Sequence, residues 1–424
     1  MRWHSLATIK TTLRGLRRST FFMNALYLML STFAVAGFGF IFWVIVTRTY
    51  ATTTVGLAVT LLSVSGLLSM LSLGGFDTTF VRFLPKSDRR NDHINSGLII
   101  VTLTSIVLSL AFMVSLPITS PRLAFVLHNP WYLASFIFFT AATSLNVLTN
   151  SIFLAFKRAR NIFVINLAFS ALKVALPLLV THGSVMTIFV LVGISQLVGL
   201  VVSLAVMKLR LGYVFTPKIH LDILRVIKKY SFSVYASSIL NLLPPTLLPL
   251  IVVRQLGPEN AAYYYMAFTI ASVLYTISYA SMQSAFAEGS HNESALKEHV
   301  AKAAKLIGAL LIPAIVVIFV LSGFILRLFG SKYAAGGDSV LRIFAVGALP
   351  VAVCSAMGAI FKVTKNLRGV VVMNVVYAVV ILSLSYTFVS RSGVVAVGWA
   401  WMIGNVAAAG AGLLFLRQHR QNIT

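Results

Sequence analysis

The sequence predicts an all-α polytopic membrane protein of about twelve transmembrane helices, in two six-helix lobes related by a parallel repeat. Three observations predict it. Of 424 residues, 58% are hydrophobic and only 10% charged, with a mean hydropathy of +0.93. A soluble domain carries about 25% charged residues, so this chain lacks the polar groups to coat a water-facing surface. Apolar runs long enough to cross a bilayer as helix recur from end to end. The second half also echoes the first at a nearly constant offset.

The first run, 21–46, follows Lys10, Arg14, Arg17 and Arg18 and contains an A-x-A triplet at Ala34–Ala36, so its start resembles a secretory signal. It continues to Val46, too long for a signal's apolar core and long enough to span, and is expected to be retained. Polar breaks place the next spans at 55–81, 95–118, 132–156, 162–181 and 186–207. The second closes on LGGFDTTFVRFLPKSDRR, where Asp77 interrupts the apolar run and Arg82, Lys86, Arg89 and Arg90 belong to the following loop. The fifth carries Lys173 and Pro177.

After the basic connection Lys208–Tyr230, spans are expected at 231–253, 261–287, 306–328, 339–361, 369–390 and 394–416. Pro244, Pro245, Pro249, Pro313 and Pro350 lie within them, where proline bends helices or frees carbonyls. The single cysteine, Cys354, excludes an intramolecular disulfide.

Basic residues orient the chain. With the N-terminus inside, inner segments hold 26 of the 34 Lys and Arg, outer loops and span ends hold 6, and Lys173 and Arg342 fall within spans. This positive-inside bias predicts both termini in the cytoplasm and a multi-pass plasma (inner) membrane protein. It accounts for most of the +25 net charge without nucleic acid. The longest outer loop has about a dozen residues, too few for an external catalytic domain. No nucleophile elbow, phosphate loop or metal-ligand cluster is present. The expectation is a non-enzyme with no catalytic residue, metal or cofactor.

The repeat rests on two matches. Shifted by 206, IVTRTYATTTVG from Ile45 falls on IVVRQLGPENAA from Ile251, with Arg48 on Arg254. Shifted by 205, FKRARN at Phe156 falls on FKVTKN at Phe361. Six spans per unit is an even number, so the repeats run parallel about an axis along the membrane normal. The lobes are expected at 1–212 and 213–424, joined by the basic connection.

These segments resemble a family. RQLGPENAAYY at Arg254, its weaker copy at Arg48–Gly56, LSLGGFDTTFVRFLP at Leu71 and LFGSKYAAGGDSVLRIFAVGALP at Leu328 are similar to helix ends in oligosaccharide and polysaccharide flippases of the multidrug/oligosaccharidyl-lipid/polysaccharide superfamily. The first-half copy departs at Tyr50–Thr54, where YATTT stands for LGPEN. The resemblance implies a V-shaped pair of six-helix lobes and movement of a lipid-linked oligosaccharide, on an undecaprenyl-diphosphate-type carrier, by alternating access. Implied partners are the bilayer, the anionic lipid-linked glycan, and a polysaccharide polymerase or glycosyltransferases. A multidrug or organic-cation antiporter of the same superfamily would share the fold.

Within the spans, charge is costly and therefore informative. A lipid-facing ammonium at Lys173 would cost at least ~2.5 kcal/mol on insertion scales, so it should face a cavity or a partner unless it snorkels. Arg342, one turn after Asp338, either forms an i,i+4 ion pair worth about 0.3–0.5 kcal/mol or binds a diphosphate or acidic sugar. Arg48 and Arg254 either anchor helix ends at the outer interface or ring an outer mouth with charge. Lys173, Arg342, Arg48 and Arg254 are thus the substrate-binding candidates. Asp77 is the one acid expected well inside a span, where it is either a structural partner of Arg82 or of backbone groups or a site of coupling to a proton or sodium gradient. At offset 206, Asp77 maps to Gln283 and Arg82 to Glu288; the latter two either meet across the inner ends of the lobes as a gate or are unrelated solvated charges.

Overall fold

A computed structural model describes residues 20–180, 182–220, 232–291, 296–364 and 366–421. Among them the chain forms fourteen α-helices. In a bilayer the backbone has no water to bond, so apolar segments close their own hydrogen bonds as helix. The first half comprises α1 (Thr20–Thr49), α2 (Thr52–Ser72), α3 (Phe76–Phe83), α4 (Arg90–Thr119), α5 (Pro130–Ala155), α6 (Ala159–Leu179) and α7 (Val185–Leu211). The second comprises α8 (Phe232–Leu256), α9 (Pro258–His291), α10 (Leu296–Arg327), α11 (Ser331–Val346), α12 (Ala348–Val363), α13 (Leu367–Ser392) and α14 (Val395–Gln421).

Eleven stretches are long and apolar enough to cross a membrane. The expected eighth span is not among them, although it forms the 34-residue α9. It packs against α2, α8, α10, α11 and α12. A helix ringed by protein needs less hydropathy than one facing lipid, and α9 uses Tyr264, Tyr275 and Ser278 as buried groups.

Two expected spans are broken. The second, drawn as 55–81, ends at Ser72 because Gly74 and Gly75 adopt φ of +54° and +88°, a region that other residues avoid. Asp77 therefore lies outside the span, in the first turn of the eight-residue α3. The tenth, drawn as 339–361, turns at Gly347 between α11 and α12. Pro350 lacks an N–H and its ring crowds the carbonyl of Val346, which stops one helix and starts the next.

In the first half α1 runs along α6, and α5 packs against α4 and α7. In the second, α13 packs against α8 and α14, and α11 and α12 also pack on α14. Trp401 on α14 centres an aromatic core, with Phe268, Tyr275 and Tyr377 at ring-centroid distances of 4.9, 5.7 and 5.6 Å. The halves meet where α2 lies along α8 and α9. The chain leaving α7 is held to the first half by Asn95 at the start of α4. Its amide donates to Val214 O (3.1 Å) and Thr216 Oγ1 (2.8 Å) and accepts from Tyr213 Oη at 2.6 Å.

Candidate functional site: cavities between and within the halves

One cavity, of about 440 Å³, lies where α2 faces α8 and α9. Ser63, Thr246, Thr269 and Ser272 give it hydroxyl groups, while Tyr265 and Phe268 give it aromatic surface. No charged residue lines it. Pro245, also in its wall, leaves the carbonyl of Asn241 without its helical donor.

A larger cavity, of about 600 Å³, lies inside the second half between α8, α9, α12, α13 and α14. Four amides line it: Asn241, Gln283, Asn374 and Asn405. Among the described residues its single charged lining residue is Lys362, which is exposed near the end of α12.

A third, small cavity sits between the α2–α3 bend and α8, lined by Met70, Asp77, Thr78, Tyr235 and Leu242 among others. Tyr235 Oη donates across the halves to the Leu71 carbonyl. Asp77 Oδ1 is buried without a hydrogen-bond partner. Burial pushes this carboxyl above the usual carboxylate range, while the N–H groups of Thr78 and Asp77 at the start of α3 pull it back down. Asp77 is thus a buried carboxyl with an unpaired oxygen, at a cavity walled by residues of both halves.

The sequence-predicted cations take other places, and none of them lines these three cavities. Lys173 lays its ammonium over the Phe42 ring on α1, 4.5 Å from the centroid. Arg342 pairs with Asp338 at 3.0 Å, donates to Ser322 Oγ at 3.0 Å, and lies over the Phe319 ring. Ser322 Oγ in turn donates to Asp338, so the three side chains close a local triad between α10 and α11. Arg48 donates to the carbonyl oxygens of Leu328 and Arg327 at the end of α10. Arg254 donates to Thr119 O at the end of α4. Arg122 adds a further link to Val253 O. Arg82 is exposed and lies over the Phe83 ring. The side chain of Glu288 lies outside the described residues, and with it the Arg82–Glu288 pairing.

Sequence reasoning missed the amide-lined cavity. In the sequence Lys362 counts as an inner-loop charge, Gln283 only as the repeat counterpart of Asp77, and Asn241, Asn374 and Asn405 lie unmarked within apolar spans. Their signal was legible: an amide inside a span needs a partner or a polar cavity.

The profile of the polysaccharide biosynthesis protein family matches residues 21–286, and that of the MatE family matches 236–387. Among curated proteins, none matches the chain. Among solved structures, lipid II flippase MurJ in an inward closed conformation superposes with a TM-score of 0.74 at 14% identity, covering 92% of this chain and 87% of that one. A multidrug resistance MATE family transporter of the MOP superfamily, in an inward-facing conformation, gives 0.71 at 16%, covering 91% and 94%. A MOP superfamily transporter from Pyrococcus furiosus, whose binding pocket is described as having reverse polarity, gives 0.58 at 17%, covering 95% and 96%.

Proposed function

The chain belongs to the polysaccharide biosynthesis protein family, and from that premise we propose that it is a flippase for a lipid-linked oligosaccharide or polysaccharide unit. The carrier is of the undecaprenyl-diphosphate type, and the membrane is the plasma membrane, with both termini cytoplasmic. Segments 1–212 and 213–424 act as the two lobes whose rocking alternates access to the central cavity. Glycosyltransferases supply the substrate and a polymerase consumes it. The protein makes and breaks no covalent bond itself.

The observation that carries this reading is the chemistry of the two large cavities. Their walls offer hydroxyl, amide and aromatic groups, and among the described residues their one charge is the cation Lys362. Hydroxyls and amides exchange hydrogen bonds with sugar hydroxyls, and a lone cation suits an anionic head. The second reading, a multidrug or organic-cation antiporter, draws on the MatE match over residues 236–387. It requires a carboxylate facing the cargo, and among the described residues neither large cavity has one.

We assign Asp77 to coupling with a proton or sodium gradient, since it is the carboxylate placed between the halves. The test is reconstitution of the purified protein in vesicles with undecaprenyl-diphosphate oligosaccharide extracted from the source cells. Translocation that stops without protein supports the reading. Export of an organic cation such as ethidium, with no movement of the lipid-linked sugar, would replace it with the antiporter.

A further inference from the structure

We propose that the cavity within the second half is a subsite for the saccharide head of the substrate, with Lys362 at its mouth receiving the head's negative charge. This deepens the flippase reading and rests on it. The cavity's volume, about 600 Å³, falls in the roughly 300–1,000 Å³ range of ligand sites.

Its hydrogen-bonding capacity is largely unspent. Among the described residues, Asn241, Gln283 and Tyr279 make no side-chain hydrogen bond, and all three are exposed to the space they line. Asn374 spends its N–H groups on Ser237, at 3.0 Å to the carbonyl and 2.8 Å to Oγ. Asn405 donates to Trp401 O at 2.8 Å. Each keeps an amide oxygen able to accept. Polar groups with free capacity inside a membrane bundle belong against water or a polar ligand, because lipid would leave them unsatisfied. Planar amides match the vicinal hydroxyls of a sugar, and the Tyr279 ring offers an apolar face to the ring's C–H groups.

Among the described residues, Lys362 and the lack of a lining carboxylate favour an acidic ligand over a cationic one. The anion that Lys362 meets is either an acidic sugar or the diphosphate of the carrier, and the experiment separates them. Access reaches the helix backbone itself: a Cβ added at Gly358 on α12 would meet nothing within 4 Å.

The chain carries its own reporter, since its single cysteine, Cys354, lines this cavity and donates to Asn405 O at 3.1 Å. The rate at which a methanethiosulfonate reagent labels Cys354 in the full-length, detergent-solubilised protein is measured alone and with three probes. These are N,N′-diacetylchitobiose (neutral), digalacturonate (acidic) and undecaprenyl diphosphate without sugar. At ten times its Kd a blocking ligand slows labelling about tenfold. The expected result is protection by both sugars, with digalacturonate effective at lower concentration, and loss of that advantage in Lys362→Gln. Protection by the sugar-free carrier alone, or by no probe, overturns the subsite.

Gly358→Leu, which fills the cavity, should abolish translocation in vesicles. Equal translocation by Gly358→Leu at normal protein level overturns the subsite but leaves the flippase reading standing. Sugar protection in a protein that moves no lipid-linked sugar does the reverse.

Discussion

Arg48 and Arg254 perform the same act in opposite directions: each closes the carbonyl end of a helix belonging to the other half. Arg48 Nε donates to Leu328 O at 2.7 Å, just past α10, and Arg254 Nη1 reaches Thr119 O, the last residue of α4, at 3.5 Å. Helix C-termini expose unpaired carbonyls and a partial negative charge, so a guanidinium there satisfies both needs. The two arginines that the repeat offset aligns thus form a reciprocal pair of clamps between the halves.

Removing the clamps should let the halves part there. Both arginines are exposed, so each contributes about 0.5–1 kcal/mol rather than the full value of a charged hydrogen bond. Arg48→Ala plus Arg254→Ala should shift the open population by about 5- to 30-fold, since the two sum to about 1–2 kcal/mol and 1.4 kcal/mol is a factor of ten. Spin labels at Leu127 and Lys332, in a Cys354→Ser background, should show a longer distance component. An unchanged distribution would show that the clamps do not hold the closed state.

Gly56 sets how near the halves can come. A Cβ there would lie 1.7 Å from the carbonyl oxygen of Pro258, the first residue of α9. Gly56→Ala should therefore cost about 1–3 kcal/mol of stability by overpacking. Gly37→Ala, whose Cβ meets nothing within 4 Å, should stabilise slightly through helix propensity. Thermal unfolding in detergent compares the two, and equal Tm values would contradict the close approach.

The pH dependence of stability should carry the mark of Asp77. Its carboxyl is raised by burial, so the folded state holds a proton longer than the unfolded chain. Stability attributable to this group is full below the ordinary carboxylate range and falls as pH rises toward the raised value. Asp77→Asn should flatten that segment of the curve, read by unfolding at a series of pH values. The same variant should make translocation indifferent to an imposed proton gradient, whereas retained dependence would move coupling elsewhere.

Arg342 should matter through folding rather than through cargo. Arg342→Ala leaves the Asp338 carboxylate with Ser322 as its remaining partner, at a cost of about 1–2 kcal/mol. Adding Asp338→Asn should recover most of it, because the unpaired charge is then gone. Protein level and Tm follow the prediction, and transport in the double variant should match wild type. A double variant that is stable yet inactive would return Arg342 to substrate binding.

The segment after α7 should come loose when Asn95 is replaced. Asn95→Ala removes three hydrogen bonds to Tyr213, Val214 and Thr216. Limited trypsin digestion near Lys218 should accelerate several-fold, and an unchanged cleavage rate would mean the segment is held by other contacts.

The sequence by itself determined the membrane class and the helical content, because hydropathy and helix formation are local properties summed along about twenty residues. It even paired Arg48 with Arg254, since the offset is arithmetic on the chain. What those arginines touch, that Lys173 rests on Phe42, and that Arg342 closes a triad with Asp338 and Ser322 were decided only by tertiary structure. Each depends on how two distant helices dock, and no window along the chain contains both. The break at Gly74–Gly75 lies between these extremes: two glycines mark it, but the apolar run across them concealed it until the backbone turned left-handed. The amide cavity is the extreme case. Its lining comes from five helices of the second half, and polar residues scattered singly through apolar spans become a site only when packing faces them inward.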